Sequence, residues 1–395
     1  MDPFHNPFAP GAGSPPPELA GRGPLLEQAT LTLARVKAGR PARSMLLIGL
    51  RGVGKTVLLN RIRELAEANG FHTVSVEAHE NKTLPALLLP PLRQLLFALD
   101  RMANVSEKAK RGLRVLKSFL NGVKLSIGDI EVGIDVDPEI GTADSGDLEA
   151  DLAALFLAIG DAAADRKVPV AILIDELQYL TEDELSALIM AMHQVAQRRL
   201  PIVLVGAGLP QLVGLAGRAK SYAERLFEFP EVGALAAADA HAALQEPARE
   251  QGVRFTPQAL DEIMAQTQGY AYFLQEWGYQ AWNLAPVSPI DVEAARRATT
   301  ESIRRLDQNF FRVRFDRLTP REKDYLRALA ALGNTAQRSG DIADHLRVKV
   351  QSVAPLRGAL IRKGMIYSPA HGDTAFTVPL FADFMKRVMP DERRA

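Results

Sequence analysis

The 395-residue chain contains no cysteine, which excludes disulfide bridges and thiolate metal sites. Its seven histidines are scattered, without the spacing of metal ligands. No apolar run is long enough to cross a bilayer. The first stretch, MDPFHNPFAPGAGSPPPELAGRG, has neither the basic start nor the apolar core of a signal peptide. These absences predict a cytoplasmic protein with no membrane partner. Neither sign of charge prevails: 47 Lys and Arg stand against 47 Asp and Glu, so the overall balance points to no partner. The composition that remains, 47% hydrophobic and 24% charged, is ordinary for a globular chain. The length allows two or three domains. The Pro- and Gly-rich start predicts extended backbone, tied down only where it meets the core.

Strands and helices alternate through the first half. Ser44 to Ile48 reads as a buried strand, followed by a helix from Thr56 to Asn69. His72 to Ala78 reads as a second strand, and helices are expected over Leu84–Arg101, Glu107–Leu120 and Leu148–Asp165. The near-continuous apolar runs ending at Asp175 and Gly208 read as central parallel strands. Leu226 to Val232 completes an α/β layered domain. Between the helices, Val123 to Val136 alternates apolar residues around Gly128-Asp129, the pattern of a hairpin. It sits in a stretch, Ser126 to Asp151, with nine acidic residues and no Lys or Arg. A solvated surface insertion is the expectation, with a pore loop or a dimer contact as alternatives. From about Ala236 to Thr300 the pattern is helical only. Beyond Leu318 it predicts three helices and two short strands.

The segment Gly49-Leu50-Arg51-Gly52-Val53-Gly54-Lys55-Thr56 fits G-x-x-x-x-G-K-[ST], with a strand before it and the helix that carries Val57 after it. In that pattern the glycines let backbone N–H groups face phosphate oxygens, and the helix N-terminus adds positive potential. Lys55 neutralises the β- and γ-phosphates, and the Thr56 hydroxyl ligates Mg2+. A carboxylate at the end of another buried strand is also required, and Asp175 supplies it as a metal ligand. Glu176 is the expected base that polarises the attacking water. Read alone, Asp175-Glu176 could merely open the following segment, where acids suit a helix dipole. The strand ending Gly206-Ala207-Gly208 offers no polar side chain for the γ-phosphate, and Gln211 is the nearest amide. Water positioning therefore rests on Glu176, or turnover is slow. Arg218, Lys220 and Arg225 precede the last strand. Arg225, the closest to it, is the candidate to reach a neighbouring subunit's γ-phosphate in a homo-oligomer, and surface charge is the alternative.

These segments, taken with ELAGRGPLLEQ, ILIDELQYL, VLVGAGLPQL, SYAERLFEFPEV and TQGYAYFLQEWG in that order, resemble AAA+ ATPases of the origin-recognition type, together with archaeal-type and STAND-related ATPases. The resemblance covers nearly the whole chain. It implies an α/β P-loop NTPase core with a five-stranded parallel sheet over residues 1–235, a helical lid and linker over 236–310, and a winged helix-turn-helix over 311–395. It also implies that Leu19, Ala20 and Arg22 lie near the adenine and that Gly269 to Phe273 start the lid helix over the phosphates. Ala271 stands where relatives carry proline, which weakens direct γ-phosphate sensing by the lid. Tyr270, Tyr272 and Phe273 read as lid core.

Residues 311–395 hold 16 Lys or Arg and 9 Asp or Glu, a net of +7, leaving −7 for the rest. In a winged helix the third helix enters the major groove, and basic side chains grip phosphates. The candidates here are Lys349, Gln351, Ser352, Arg357, Arg362 and Lys363, with Val350, Val353, Leu356, Leu360 and Ile361 as the buried side and Pro355 tolerable only near the helix start. Contact with another protein is the alternative use of such a module. Two functions follow. In the first, a Mg2+-dependent ATPase uses its ATP or ADP state to control association with double-stranded DNA. In the second, a STAND-like switch packs its winged helix on the core and makes protein contacts only; the lack of a sensor array or effector domain after the winged helix counts against a complete switch. A metabolic kinase is a weak third, since no acceptor pocket is legible.

Overall fold

The computed structural model describes residues 1–11, 16, 19–102, 106–122, 136–370 and 372–390. Five strands form the central sheet: β1 (Ser44–Ile48), β2 (His72–Glu77), β3 (Val170–Asp175), β4 (Ile202–Gly208) and β5 (Phe227–Glu228). Their order is β2-β3-β4-β1-β5 and every pairing is parallel. β1, β3 and β4 are buried along their whole length, as their unbroken apolar runs require, whereas β2 at the edge is buried only in part.

Alternation along each strand divides the core in two. Met45, Leu47, Leu173 and Val205 face the helices Gly23–Lys37 and Lys55–Ala68. Leu46, Ile48, Ile172 and Leu204 face the helices Leu84–Asp100, Glu107–Gly122, Leu148–Arg166 and Glu182–Gln197. The helices fall within one or two residues of the sequence expectation. The hairpin expected at Val123–Val136 lies, except for Val136, outside the described residues. Val136 itself is half-buried against the core, and Glu139 of the same acidic stretch pairs with Arg111 at 2.9 Å on the basic helix.

Four helices, Ala237–Glu250, Pro257–Thr267, Ala271–Leu284 and Val292–Arg305, make the lid around buried Trp277 and Trp282. The N-terminal segment is bound to this lid. Trp282 Nε1 donates to the Asp2 carbonyl at 2.9 Å, Asn6 Nδ2 donates to the Tyr279 carbonyl at 3.1 Å, and Phe8 is buried edge-on to Phe255. The last lid helix continues through a π-helical turn, Leu306–Phe311, into Arg312–Asp316.

The C-terminal unit has helices Pro320–Leu332, Ser339–Leu346 and Val350–Arg362. Strands β6 (Gln337–Arg338), β7 (Ile366–Tyr367) and β8 (Asp373–Phe376) form an antiparallel sheet in the order β6-β8-β7, the arrangement of a winged helix. A closing helix, Phe381–Val388, was not legible as an element. Its Phe381 and Phe384 pack on Phe311 at centroid distances of 5.5 and 5.3 Å, so one core runs from the lid into the winged helix. Pro355 lies inside the third helix rather than at its start. Val353 and Leu360 are buried and Leu356 and Ile361 are partly covered, but Val350 is exposed.

Thr319 and Glu322 form a capping box, in which the Glu322 carboxylate accepts from the Thr319 N–H at 2.7 Å. Lys363 pairs with the same carboxylate at 2.7 Å. We predict that Glu322→Ala destabilises the winged helix by about 2 kcal/mol. Amide hydrogen exchange should accelerate over residues 320–332 and stay unchanged in the central sheet.

Candidate nucleotide-binding site

The phosphate loop is clamped where the central strands end. Gly49 N–H donates to the Gly208 carbonyl at 3.1 Å, and a Cβ at Gly49 would stand 2.2 Å from the Val232 carbonyl oxygen. No other residue fits that approach. Gly54 adopts φ +94°, left-handed backbone that turns the loop into the helix Lys55–Ala68. The positive end of that helix is thereby aimed at the loop cavity.

Lys55 is buried. Its Nζ donates to the carbonyls of Gly49 and Leu50 at 2.8 and 2.9 Å. Burial pushes the ammonium pKa down to about 8; Glu176 and Asp175 oppose this and Arg51 adds to it. The Thr56 hydroxyl donates to Asp175 Oδ2 at 2.6 Å, and the Glu176 N–H donates to Asp175 Oδ1 at 2.8 Å. Burial raises the Asp175 pKa, and these two hydrogen bonds oppose it. A hydroxyl and a carboxylate in contact are hard oxygen donors of the kind Mg2+ takes alongside water and phosphate oxygens. The pair therefore fits the metal that the loop motif implies.

Glu176 occupies left-handed backbone at φ 55° just beyond β3. Its carboxylate accepts from the Gln178 side-chain amide, and Gln178 Oε1 accepts from the Leu209 N–H at 3.0 Å. This corrects the sequence expectation for the end of β4. The amide tied to that strand is Gln178, two residues past the presumed base; neither Gln178 nor Gln211 lines the nucleotide cavity, and both line the cleft beside the winged helix. The spacing in Glu-Leu-Gln was the available signal, because a single 3-10 turn at Leu177–Tyr179 returns residue 178 towards β4.

A cavity of about 280 Å³ opens beside the loop. Arg51, Gly52, Val53, Gly54, Lys55, Thr56 and Val57 line it together with Glu176, Leu19, Ala20 and Arg22. Gly49 and Leu50 sit behind it and hold Lys55. Arg22 is buried and donates to the carbonyls of Val53 at 3.0 Å and Gly233 at 2.7 Å, so it joins the loop to the base of the lid. Burial lowers its pKa, with Asp239 opposing. Tyr270, Tyr272 and Phe273 pack into the lid as expected, and the Tyr272 N–H also reaches the Gly52 carbonyl at 3.0 Å. Ala9, Gly11, Phe310 and Arg314, which were not anticipated, also line the cavity, as do Tyr272, Leu274 and Gln275 of the lid. Arg225 is exposed on the short helix Ala223–Leu226 and does not line the cavity of its own chain. Arg218 and Lys220 are held by Glu182 and Glu149 at 3.8 and 2.8 Å.

The sequence of residues 18–205 matches the family model described as AAA ATPase domain. This region has the AAA fold. The AAA fold accounts for the sheet order, the loop and the lid described above. Residues 308–385 match a second family model, a domain of unknown function. No curated protein matches the chain in sequence. Among solved structures, a Walker-type ATPase of Pyrococcus abyssi is similar at a TM-score of 0.53 and 18% identity, over 93% of this chain and 96% of that one. Aeropyrum pernix Orc1 in complex with DNA aligns at 0.48 and 16%, over 96% and 95% of the two chains. The Thermotoga maritima RuvB Holliday junction branch migration motor aligns at 0.45 and 14%, over 92% and 96%. Among the described residues, no helix is long and apolar enough to cross a membrane.

The winged-helix candidates separate into two groups. Lys349, Gln351 and Ser352 are exposed at the start of the third helix. Arg362 is exposed and lines a cleft that the winged helix forms with Tyr179, Thr181 and Arg218 of the AAA domain. Arg357 and Lys363 depart from the sequence expectation. The Arg357 guanidinium holds the wing, donating to Thr374 Oγ1, Ser368 Oγ and the Asp373 carbonyl at 2.9, 2.6 and 2.8 Å. Lys363 is committed to Glu322 and the Arg317 carbonyl. Neither is free to grip a phosphate backbone.

We predict that Gly49→Ala destabilises the AAA domain by about 1–3 kcal/mol through overpacking against Val232. A lowered thermal midpoint, with nucleotide affinity lost in parallel, checks it.

Proposed function

We propose that the chain binds and hydrolyses ATP with Mg2+, and that its nucleotide state controls the association of the winged helix with double-stranded DNA. The observation that carries the ATPase reading is the Thr56–Asp175 contact of 2.6 Å beneath the loop, with Glu176 in the cavity wall.

The loop N–H groups and the helix N-terminus would receive the phosphates. Lys55 would exchange the Gly49 and Leu50 carbonyls for phosphate oxygens, a gain for a buried ammonium that has only neutral acceptors now. Thr56 and Asp175 would hold Mg2+, whose chemistry is to neutralise charge developing on the phosphates. Glu176 would take a proton from the attacking water, with Gln178 fixing its carboxylate against β4. Arg225, exposed on its short helix, would serve a neighbouring subunit's site in a homo-oligomer.

The DNA part of the proposal rests on the winged-helix arrangement, the +7 balance of residues 311–395 and the exposed Lys349, Gln351, Ser352 and Arg362. A second reading, the nucleotide switch with protein contacts only, is favoured by one observation. The winged helix touches the phosphate loop directly, the Arg51 N–H donating to the Thr377 carbonyl at 3.1 Å.

Lys55→Ala should weaken nucleotide binding about a hundredfold or more, consistent with the loss of a charge-assisted contact to a polyanion. Glu176→Gln should keep binding while hydrolysis falls about a hundredfold or more. Unchanged turnover in Glu176→Gln would remove it as the base. For DNA, a gel-shift titration with ATP, with ADP and without nucleotide should show duplex binding that weakens steeply with salt. Combined Lys349→Ala and Arg362→Ala should reduce it about tenfold or more. No duplex affinity at low salt in any nucleotide state would leave the switch reading in its place.

A further inference from the structure

Arg314 lies on Arg312–Asp316, directly after the π-helical turn, and its half-buried guanidinium forms part of the nucleotide cavity wall. Nη1 donates to the Phe310 carbonyl at 2.8 Å. The guanidinium stands 3.9 Å from the centre of the Phe310 ring, which stacks on Tyr272 at 5.0 Å. Among the described residues no carboxylate pairs with it; Arg51 and Arg317 push against its charge, and the phenols of Tyr272 and Tyr179 favour it, as do the Phe310 carbonyl and ring. Burial, then Arg51, brings its pKa down to about 10. Arg51 is scarcely better provided. Its Nη2 donates to the Tyr179 hydroxyl at 2.6 Å and lies 3.9 Å from Glu176, and its Nε is buried without a partner.

Two guanidiniums thus line one cavity close enough for their charges to oppose each other, and Glu176, 3.9 Å from Arg51, lines it too. Desolvated like charges are unfavourable unless an anion joins them. Arg51 is the third residue of the loop motif, on the side of the terminal phosphate when a nucleotide lies along the loop. Leu19, Ala20 and Arg22 also line the cavity and would take the base.

We propose that Arg314 is a ligand of the terminal phosphate of bound ATP, and that through it the nucleotide sets the position of the winged helix. The inference rests on the ATP-binding reading above. Arg314 is on the continuous helical path from Val292 to Asp316, and Phe311 and Phe315 of that path pack against Phe384 of the winged helix at 5.3 and 5.7 Å. The other guanidinium touches the same unit, since a Cβ at Gly364 would stand 2.5 Å from Arg51 Nη2. A terminal phosphate draws both arginines inward. ADP leaves them facing each other across unfilled space, and the contact with the winged helix relaxes.

The test compares a fluorescent non-hydrolysable ATP analogue with the matching ADP analogue in Arg314→Ala and Arg314→Gln. The ATP analogue should bind about tenfold more weakly or worse in both variants, as expected for a lost charge-assisted contact, with ADP affinity within about twofold of the parent. Because the chain has no cysteine, labels at Glu64→Cys and Asp344→Cys report the separation of AAA domain and winged helix without background. That separation should differ between ATP analogue and ADP in the parent and become equal in Arg314→Gln. Equal weakening of both nucleotides, or no weakening of either, overturns the proposal. Lys55→Ala separates the two levels: if it loses both nucleotides while Arg314→Gln discriminates like the parent, only the inference fails; if it binds both normally, the ATP reading fails and carries the inference with it.

Discussion

A single short hydrogen bond, from the Thr56 hydroxyl to Asp175, ties the helix after the phosphate loop to the end of a different strand. Strands β1 and β3 are not neighbours; β4 lies between them. On β4 itself, Gly206 and Gly208 leave room for the side chains of Leu177, Gln178 and Leu212. A Cβ at Gly206 would stand 2.2 Å from the Leu177 side chain. The same bareness that denies β4 a polar tip lets Leu177 settle on it, with Glu176 on the cavity side and Gln178 bonded back to Leu209. The missing polar residue and the Glu176–Gln178 pair are two sides of one packing choice.

Much of the AAA domain was legible because its signals are local. Unbroken apolar runs, a glycine spacing fixed by phosphate geometry and an acid at a strand end each occupy a few consecutive residues. What escaped notice is non-local. Arg314 reads as one of many basic residues in a positively charged region, and only the π-helical turn before it directs it into the cavity. Gln178 was hidden because its role depends on a left-handed residue at 176, which sequence composition does not announce for a glutamate. The hydrogen bonds of Arg357 and Lys363 run the other way. Side chains that look like a grip on DNA are spent inside the unit that carries them.

The C-terminal charge excess therefore has to be divided before it is interpreted. Part of it closes the wing and the capping box, part faces the AAA domain across the cleft lined by Arg218 and Arg362, and part, at Lys349, is presented outward. A partner approaching the third helix meets its first turn unobstructed and its last turn against the AAA domain. Association with the full length of the helix and closure of the cleft compete for the same surface.

The attachment of the first residues to the lid has a consequence for synthesis on the ribosome. Asp2, Asn6 and Phe8 leave the exit tunnel early, yet their partners are Trp282, Tyr279 and Phe255. Since Ala9 and Gly11 also line the nucleotide cavity, that wall stays incomplete until more than half of the chain has emerged. The sheet can therefore close at β5 before the partners that hold this part of the cavity wall have been made.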